Sequence, residues 1–382
     1  MPEKKKGVLP RLRFPEFRDV GEWEVKRLGE VCEILDSQRR PITSTDRERG
    51  PYPYYGASGI VDYINDYIFD ERLILIGEDG AKWGPFEKTA FIVEGKYWVN
   101  NHAHVLRSVG INDVVLENFL TMIDISPYIT GAAPPKLTLD NLKGIKVPTP
   151  SEPHEQQKIA DCLSSLDEVI DLEAQKLDAL KAHKKGLMQQ LFPREGETTP
   201  RLRFPEFRDV GEWEVKPLHQ LLIFERPDKY IVHIDNYCTQ GTPVLTANKS
   251  FILGYTAEKD GIYESVPAII FDDFTTDKKY VDFPFKVKSS AIKILKQKGN
   301  NNIRFLFESM NLIRFDPQQH KRYYISQYQN IHIPVPDIKE QQKIADCLSS
   351  LDEVIDLEAQ KLEALKAHKK GLMQQLFPQE VD

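Results

Sequence analysis

The sequence is poor in cysteine and contains no long apolar run. Only four of its 382 residues are cysteine, and two of them, Cys162 and Cys347, occupy the same position of a repeated segment. This usage predicts buried thiols in a reducing cytoplasm and argues against a disulfide or zinc framework. Because no stretch of about 18 consecutive apolar residues occurs, we expect no membrane span, no signal peptide and a cytoplasmic location.

Motifs of several enzyme classes are also missing. Neither a phosphate loop of the GxxxxGKS or GxxxxGKT kind nor a GxGxxG motif is present. The stretch GAAPPKL at 131–137 has Ala133 and Lys136 where an adenine methyltransferase motif requires asparagine and an aromatic residue. GEDGAK at 77–82 lacks the carboxylate spacing of a nuclease site, and we interpret it as a loop or turn. We therefore predict that the chain is not an enzyme.

A block of 39 residues occurs twice: residues 155–193 recur at 340–378 with one change, from Asp178 to Glu363. Apolar residues in the block follow the alternating four-three spacing of a coiled-coil seam. The seam comprises Ile159, Leu163, Leu166, Ile170, Leu177, Leu180 and Leu187 in the first copy, and Ile344, Leu348, Leu351, Ile355, Leu362, Leu365 and Leu372 in the second. The block therefore predicts two helices, each roughly 58 Å long at ~1.5 Å per residue.

The neighbours of the seam bear on how these helices pack. Glu173 and Lys184 interrupt the apolar stripe. The residues that widen it are Val169, Leu172, Ala174, Met188 and Phe192. A lone helix cannot bury such a stripe, and two near-identical stripes favour a quasi-symmetric pair of helices packed on each other. Two independent helices docked on separate cores remain the alternative.

A shorter block, residues 11–26, recurs without change at 201–216, whereas the regions between the repeats share no comparable identity. Both variable regions mix β-branched or aromatic runs with Gly, Asn and Asp turns, which is typical of strands. We therefore predict an α+β protein in which two α/β domains with β-rich cores are separated by two long helices. The predicted segments are 1–26 as a lead, 27–154 as the first domain, 155–193 as the first helix, 194–216 as a linker with the repeated lead, 217–339 as the second domain, and 340–382 as the second helix and tail.

Three stretches carry a resemblance to a known family. They are LRFPEFRDVGEWEVKRLGEV near the N-terminus, IKVPTPSEPHEQQKIADCLSSLDEVI leading into the first long helix, and IHIPVPDIKEQQKIADCLSSLDEVI leading into the second. In these stretches, and in its twofold arrangement around variable segments, the chain resembles the specificity subunit of Type I restriction-modification systems. The resemblance extends over essentially the whole chain.

The resemblance implies both a fold and a function. In that family each variable segment is a target recognition domain that reads one half of a split, asymmetric sequence of double-stranded DNA. The helices form an antiparallel coiled coil, set the distance between the halves and dock two methyltransferase subunits, after which restriction subunits that translocate DNA join. S-adenosylmethionine, ATP and Mg²⁺ are then expected in the partners, with no cofactor in this chain. Pseudo-two-fold repetition of one surface suits a partner that binds twice.

Candidate DNA-binding residues of the first domain are chosen for their side-chain chemistry. They are Ser58, Lys82, Trp83, Asn100, Asn101, His102 and Lys136. Lysines suit phosphates, and amides suit base edges because Asn can pair bidentately with adenine. For residues 100–102, a structural turn and a DNA contact remain equal alternatives. His102 and His104 alternate on one predicted strand face, but no third ligand is visible, so we predict no metal site.

The second domain offers hydroxyls, an amide and lysines in its predicted loops. The candidates are Thr246, Asn248, Lys249, Thr275, Thr276, Lys278, Lys279, Lys286 and Lys288. A single lysine is more often a solvated surface charge, but as a set these residues are a credible DNA footprint. The net charge of −7 neither supports nor excludes DNA binding, because a whole-chain sum hides local basic surfaces.

Two other functions compete with DNA recognition. The chain could be a non-enzymatic coiled-coil adaptor whose two domains bind protein or carbohydrate, or an autonomous DNA-modifying enzyme with unrecognised motifs. A DNA mobility shift that depends on salt and on a co-expressed methyltransferase favours the specificity subunit. Partner binding without DNA favours the adaptor, and methyl transfer by the purified chain favours the enzyme.

Overall fold

The structure is a computed structural model and describes residues 7–233, 237–248, 250–319 and 321–379. The chain forms two compact units. Unit 1 consists of Met1–Gln175 with Ala359–Asp382, and unit 2 consists of Lys176–Glu358. Each unit therefore contains one variable region, the first part of the long helix that follows it, and the last part of the other long helix.

Unit 1 is built on two four-stranded sheets and a short helix. Its elements are β1 (Glu24–Arg27), α1 (Leu28–Val31), β2 (Cys32–Ile34), β3 (Arg49–Gly56), β4 (Gly59–Ile64), β5 (Phe69–Asp70), β6 (Leu73–Gly77), β7 (Ala90–Val93), β8 (Lys96–Val99), β9 (Ala103–Ser108), α2 (Asp113–Met122), β10 (Ile129–Thr130), β11 (Lys136–Leu137), α3 (Leu139–Gly144), β12 (Lys146–Thr149) and the start of α4 (Pro153–Leu191). The sheet orders are β2-β9-β6-β7 and β4-β3-β8-β5, with β1 paired to β12 and β10 to β11.

Strand β6 explains how the two sheets of unit 1 share a core. Its sequence LILIG is buried throughout. Alternate side chains of a strand point to opposite faces, so both faces of β6 are covered. Ile74 and Ile76 pack with α2, whereas Leu73 and Leu75 pack towards the second sheet. Helix α2 begins where the Asn112 side chain accepts a hydrogen bond from the amide of Val114, which satisfies a backbone donor of the first turn.

Unit 2 repeats this architecture with a different sequence. Its elements are β13 (Glu214–Pro217), α5 (Leu218–Leu221), β14 (Leu222–Glu225), β15 (Thr242–Leu245), β16 (Ile252–Thr256), β17 (Ala268–Asp272), β18 (Lys278–Val281), β19 (Lys286–Val287), β20 (Ile292–Gln297), α6 (Ile303–Leu312), β21 (His332–Val335) and the start of α7 (Ile338–Leu376). The sheet orders are β14-β20-β17-β18 and β16-β15-β19, with β13 paired to β21. Strand β17 is the fully buried counterpart of β6.

The repeated leads are tied to the starts of the long helices by buried ion pairs. In unit 1 the Nε of Arg13 lies 2.6 Å from Oε1 of Glu155, and in unit 2 the Nη2 of Arg203 lies 2.7 Å from Oε2 of Glu340. Both carboxylates are 1% exposed. The two repeated blocks are therefore the two halves of one packing arrangement, which accounts for their duplication together.

The long helices contact each other antiparallel within each unit. In unit 1 Lys369 pairs with Asp167 at 2.6 Å and Lys361 with Glu173 at 2.5 Å. Unit 2 contains the same contacts with the copies exchanged, since Lys184 pairs with Asp352 at 2.7 Å and Lys176 with Glu358 at 2.6 Å. The polar residues that interrupt the apolar stripe therefore form ion pairs between the helices.

The ends of the helices also dock on the domain cores. Phe377 of the α7 end packs on Phe119 of α2 with ring centroids 5.8 Å apart, and Phe192 beyond the α4 end stacks on Phe305 of α6 at 5.2 Å. Each helix thus pairs with its copy and contributes to both cores. The prediction of an α+β protein with two β-rich domains and two long helices is confirmed.

Most seam positions are shielded, but the width of the stripe was overestimated. The fourteen predicted seam residues are all buried or half-buried. Val169 and Leu172, which the periodicity adds to the stripe, are instead 43% and 64% exposed. Their copies Val354 and Leu357 are 42% and 64% exposed. The expected widening therefore holds for Met188 and Phe192, which are buried, and for the half-buried Ala174. It is wrong for Val169 and Leu172, because the partner helix does not cover that side of the stripe.

The four cysteines are all free thiols, but only Cys32 is buried. Cys162 and Cys347 are half-buried, and Cys238 is exposed. The expectation of buried thiols therefore holds for one of the four. Among the described residues, no helix is long and apolar enough to cross a membrane.

Glu117 of α2 makes unit 1 sensitive to pH. Burial raises the pKa of its carboxyl to about 7, Lys369 opposes this shift, and Asp167 adds to it. Between pH 4.5 and 7 the carboxyl is thus ionised when unfolded and protonated when folded, so stability falls as pH rises through this range. The corresponding cluster of unit 2 differs, because Arg304 lies 2.8 Å from Glu308.

We predict that Glu117→Gln stabilises the chain at pH 8 by at most about 3 kcal/mol and removes the loss of stability between pH 4.5 and 7. Calorimetric unfolding of the full chain between pH 5 and 8 measures the pH dependence of stability. Glu168→Gln removes an exposed carboxylate of α4 and should leave the pH dependence unchanged. Equal pH profiles for Glu117→Gln and the unmodified chain would contradict the prediction.

Candidate nucleic-acid interface

A buried charge network closes one end of the sheets in unit 1. Glu78 follows β6 and accepts from Nη1 of Arg39 at 2.5 Å and from Nζ of Lys136 at 2.5 Å. His104 of β9, 1% exposed, has Nδ1 2.6 Å from Asp36 and Nε2 2.7 Å from the carbonyl oxygen of Leu137. The network therefore links β6, β9 and β11, which are distant in sequence, at one end of the sheets.

The charges of this network compensate one another. Burial by itself raises the pKa of Glu78, but hydrogen bonds from Lys136 and Arg39 outweigh it and the pKa is lowered. Burial likewise raises the pKa of Asp36, but the contact with His104 outweighs it, so the pKa of Asp36 is also lowered. Both carboxylates are therefore ionised at neutral pH and held by cations.

Three residues of the network are spaced like metal ligands, but their carboxylates are already bound by cationic side chains. Ligand atoms of Asp36, Glu78 and His104 lie within 4.8 Å of one another. However, Arg39 and Lys136 already donate to Glu78, and a bound cation would have to displace them. We therefore interpret the cluster as an ion-pair network. His102 does not share it, because His102 precedes β9, is exposed, and contacts Asp79 at 2.5 Å.

Several turns meet at this end of unit 1. The β3–β4 turn approaches Gly77 so closely that a Cβ there would lie 2.9 Å from the Ala57 carbonyl oxygen, so a larger residue would push the turn away. The amide of Glu78 donates to the carbonyl of His102 at 2.8 Å. The exposed residue Ser58 is thereby brought to the same end of the domain as the loop that contains Asn101.

The candidates of the first domain fall into three groups. Exposed side chains are Ser58, Lys82, Asn101 and His102. Lys136 is half-buried and pairs with Glu78, and Trp83 is half-buried with Nε1 donating to the Gly77 carbonyl at 3.2 Å. Asn100 is 5% exposed, and its Oδ1 accepts from the amide of His102. Asn100 therefore holds the turn whose exposed members are Asn101 and His102.

Unit 2 has a counterpart network at the same place. Asp273 follows β17 as Glu78 follows β6, and its carboxylate lies 3.1 Å from Nζ of Lys293 on β20. It also accepts from the amide of Tyr324 at 2.8 Å. Different residues therefore close the same end of the sheet, which leaves the surrounding turns free to differ between the units.

The turns of unit 2 carry some of the predicted hydroxyls, amides and lysines. Asn248 and Thr275 are exposed, and the Thr275 hydroxyl donates to Asn248 Oδ1 at 3.4 Å. The amide of Lys288 donates to the Leu245 carbonyl at 3.0 Å, which places Lys288 beside the β15–β16 hairpin. Thr246 is half-buried, and its hydroxyl accepts from the Asn248 amide. Lys249 lies outside the described residues.

Other candidates of unit 2 are occupied within the protein. Lys286 is 1% exposed and donates to Glu258 at 2.9 Å and to the Asp260 carbonyl at 2.7 Å. Lys278 is half-buried, burial lowers its pKa, and its ammonium lies 5.7 Å from the centre of the Tyr328 ring. Thr276 is 7% exposed and Lys279 half-buried. Lys286 and Thr276 are therefore not part of an accessible surface.

The polar pattern of the sequence did not point to the exposed apolar strands of the hairpins. In β4, Ile60, Val61 and Tyr63 are 48%, 58% and 51% exposed. In β16, Ile252 and Leu253 are 40% and 37% exposed. The signal in the sequence is weak, because these residues read as ordinary strand residues until the fold shows that β4 and β16 are edge strands.

Comparisons with known proteins agree with this architecture. The family model described as Type I restriction modification DNA specificity domain matches residues 21–182 and 211–367. A relative from Escherichia coli, the Type I restriction enzyme EcoR124I/EcoR124II specificity subunit, is 41% identical over 155 residues, which are 39% of this chain and 38% of that protein. The match thus spans under half of the relative's length.

Two broader similarities cover nearly the whole chain. The Type I restriction enzyme MjaVIII specificity subunit of Methanocaldococcus jannaschii is 23% identical over 416 aligned positions, covering 96% of this chain and 93% of that protein. The crystal structure of a Type I restriction-modification system S subunit from M. genitalium superposes with a TM-score of 0.69 at 14% identity. It covers 98% of this chain and all of the other, and shows the fold.

Proposed function

Because this chain belongs to the Type I restriction modification DNA specificity family, we propose that it selects the DNA sequence on which such a restriction-modification complex acts. Unit 1 reads one half of a bipartite, asymmetric target and unit 2 reads the other. The observation that carries the proposal is one architecture occurring twice with two different sets of exposed side chains. Two copies of one reader would match a symmetric target, whereas two different readers match an asymmetric one.

The accessible polar groups suit this division of labour. In unit 1, Ser58, Lys82, Asn101 and His102 are exposed, and in unit 2, Asn248 and Thr275 are exposed with Lys288 half-buried beside them. Lysines contact phosphates, while amide and hydroxyl groups reach base edges. We propose these side chains as DNA contacts. The buried members of the candidate set support the turns instead.

The proposed chemistry is supplied by partner subunits. Members of the family are specificity subunits, and in this proposal two methyltransferase subunits methylate adenine in the two half-sites. The exposed apolar pair Val169 and Leu172 recurs as Val354 and Leu357, and exposed apolar patches commonly mark protein interfaces. Two identical patches fit two copies of one methyltransferase.

Restriction subunits that translocate DNA join this complex in the proposal. S-adenosylmethionine then binds the methyltransferases, and ATP and Mg²⁺ serve those partners. The helices that pair within each unit are also proposed to set the number of unspecified bases between the half-sites. An adaptor that binds protein or carbohydrate would show neither sequence-selective DNA binding nor a dependence of methylation on this chain.

Exchange of one domain tests the independence of the readers. Replacing residues 28–145 with the corresponding segment of another family member preserves the β1–β12 ladder, whose register runs from Glu24 with Thr149 to Arg27 with Lys146. We predict that methylation mapping in a host with the methyltransferase partner shows one altered half-site and one unchanged half-site. The control exchange of residues 218–331 preserves the β13–β21 ladder and should alter only the other half. A change in both halves after either exchange would contradict independent reading.

A further inference from the structure

The two β-hairpins share a feature that the conserved packing of the units does not require. Strands β4 and β16 are the outermost named strands of their sheets, and Tyr255 of β16 also forms an isolated bridge with Cys238. Both strands carry exposed apolar side chains directly after the hairpin turn. Ile60 and Val61 hold these positions in unit 1, and Ile252 and Leu253 hold them in unit 2. Exposed apolar edge strands promote aggregation, and proteins normally protect them. Their presence in both units calls for a ligand.

The exposure pattern describes a projecting ribbon. Val61 is the extra residue of a β-bulge, because Tyr54 pairs with Asp62 and Tyr55 with Ile60. Leu253 holds the same position in β16, because Val244 pairs with Gly254 and Leu245 with Ile252. A bulge re-aims side chains next to it, and here it leaves both the extra residue and its neighbour exposed. Further along each strand the side chains become buried, at Ile64 and at Thr256. Each hairpin is therefore anchored at its base and carries two exposed apolar side chains at a bulge near its turn.

We propose that these two hairpins are the elements that enter the DNA major groove, and that their apolar side chains read thymine methyl groups. This inference rests on the proposed function. The major groove admits a two-stranded β-ribbon, and apolar side chains distinguish thymine there by its methyl group.

The surroundings of each hairpin turn match the charge of DNA. In unit 1 the turn lies beside Gly77, and a Cβ on Gly77 would meet both Ala57 and Ala81. Ala81 precedes Lys82, whose side chain is 80% exposed and whose Nζ lies 3.7 Å from Glu87. In unit 2 the amide of Lys288 donates to the end of β15, and its half-buried side chain places Nζ 5.6 Å from the centre of the Tyr237 ring. A lysine next to each ribbon suits a phosphate at the groove edge.

Matched substitutions separate the hairpins from other exposed apolar residues. The variants are Val61→Asn in unit 1 and Leu253→Asn in unit 2. Their controls are Val109→Asn and Ile223→Asn, at residues 53% and 55% exposed. Val109 follows the far end of β9, and Ile223 of β14 pairs with Lys296 at the far end of β20. Each full-length chain is expressed with its methyltransferase partner, and methylated sites are mapped.

We expect Val61→Asn to weaken or broaden one half-site and Leu253→Asn the other, whereas both controls retain the original target. A second measurement uses duplexes of the mapped target in which thymine in one half is replaced by uracil, which removes only the methyl group. For each methyl contact, binding should weaken by about fourfold. The corresponding hairpin variant should lose this sensitivity to uracil in its own half-site only.

The remaining outcomes are distinguishable. Unchanged targets in both hairpin variants, or half-sites that lack thymine or do not respond to uracil, would overturn the hairpin inference while leaving the proposed function intact. Loss of methyltransferase co-purification in the hairpin variants would mean that the strands bind protein, and would also overturn it. Absence of any bipartite methylated target with the unmodified chain would refute the proposed function itself.

Discussion

Glu340→Ala is expected to lower the free energy of unfolding of unit 2 by about 3–5 kcal/mol, because it leaves a buried arginine without its counter-charge. The Glu340 side chain is 1% exposed and that of Arg203 is 7% exposed. Two hydrogen bonds of 2.7 Å join them, from Nε to Oε1 and from Nη2 to Oε2. This bidentate bond raises the pKa of Arg203 while Glu340 is present. The guanidinium also stays charged after Glu340 is removed, because an arginine side chain does not deprotonate in proteins. Urea or calorimetric unfolding of the full chain measures the loss.

A surface pair in the same region provides the control. Glu206 lies 3.3 Å from Lys343, and their side chains are 47% and 51% exposed. Glu206→Ala should cost much less than Glu340→Ala, because exposed ion pairs contribute little to stability. The double variant Arg203→Met with Glu340→Leu should recover most of the stability, since apolar replacement of both partners removes the stranded charge. If Glu340→Ala costs no more than Glu206→Ala, the buried pair is not what joins the lead to the helix.

Unit 1 offers an internal repeat of this experiment. Arg13 and Glu155 form the same pair, and Nε1 of Trp23 also donates to Glu155 Oε1 at 3.2 Å. The equivalent nitrogen of Trp213 in unit 2 has no hydrogen-bond partner in the described part of the chain. Glu155 therefore holds one more buried donor than Glu340 does. Its loss should destabilise unit 1 at least as much as Glu340→Ala destabilises unit 2.

The long helices could be predicted from sequence because their signal is local. A seam repeated over 39 residues fixes the helical phase. At the start of α7 the Asp337 side chain accepts from the amides of Lys339 and Glu340. The buried strands β6 and β17 were also recognisable, since they are short continuous apolar runs.

The interface could not be predicted to the same degree, because it depends on contacts between distant residues. Lys286 and Lys288 look alike in sequence, yet Lys286 points inward and is neutralised by Glu258, 28 positions earlier. Asn100 and Asn101 are neighbours of the same residue type, yet Asn100 is buried because its side chain accepts the His102 amide within the turn, whereas Asn101 is exposed. Edge position decides whether Val61 is core or surface, and strand order in a sheet is a property of the fold rather than of a short window.

A longer pair of helices is expected to lengthen the unspecified spacer of the DNA target. The insertion points are between Ala174 and Gln175 in α4 and between Ala359 and Gln360 in α7. The ion pairs Glu173–Lys361 and Lys176–Glu358 lie on either side of them, so the insertions face each other. Inserting whole heptads in both helices keeps the apolar seam in phase. The contacts inside each unit are then preserved.

The number of heptads determines whether the half-sites remain readable. One heptad adds roughly 10 Å at ~1.5 Å per residue, or about 3 base pairs at ~3.4 Å each. Over that length the duplex turns by about a third of its ~10.5 base-pair repeat, so the two groove faces no longer match. Three heptads add roughly 32 Å, about 9 base pairs, which brings the faces back close to register.

We therefore expect weak methylation with one heptad, and restored methylation with three heptads at the same two half-sequences separated by about 9 additional base pairs. Methylation mapping reads out both the half-sequences and the spacer. Insertion of two residues in each helix is the control, because it rotates the following apolar positions by about 200° out of the seam and should abolish partner assembly. An unchanged spacer with three heptads would show that the helices do not set the distance between half-sites. Altered half-sequences would show that the units do not read them independently.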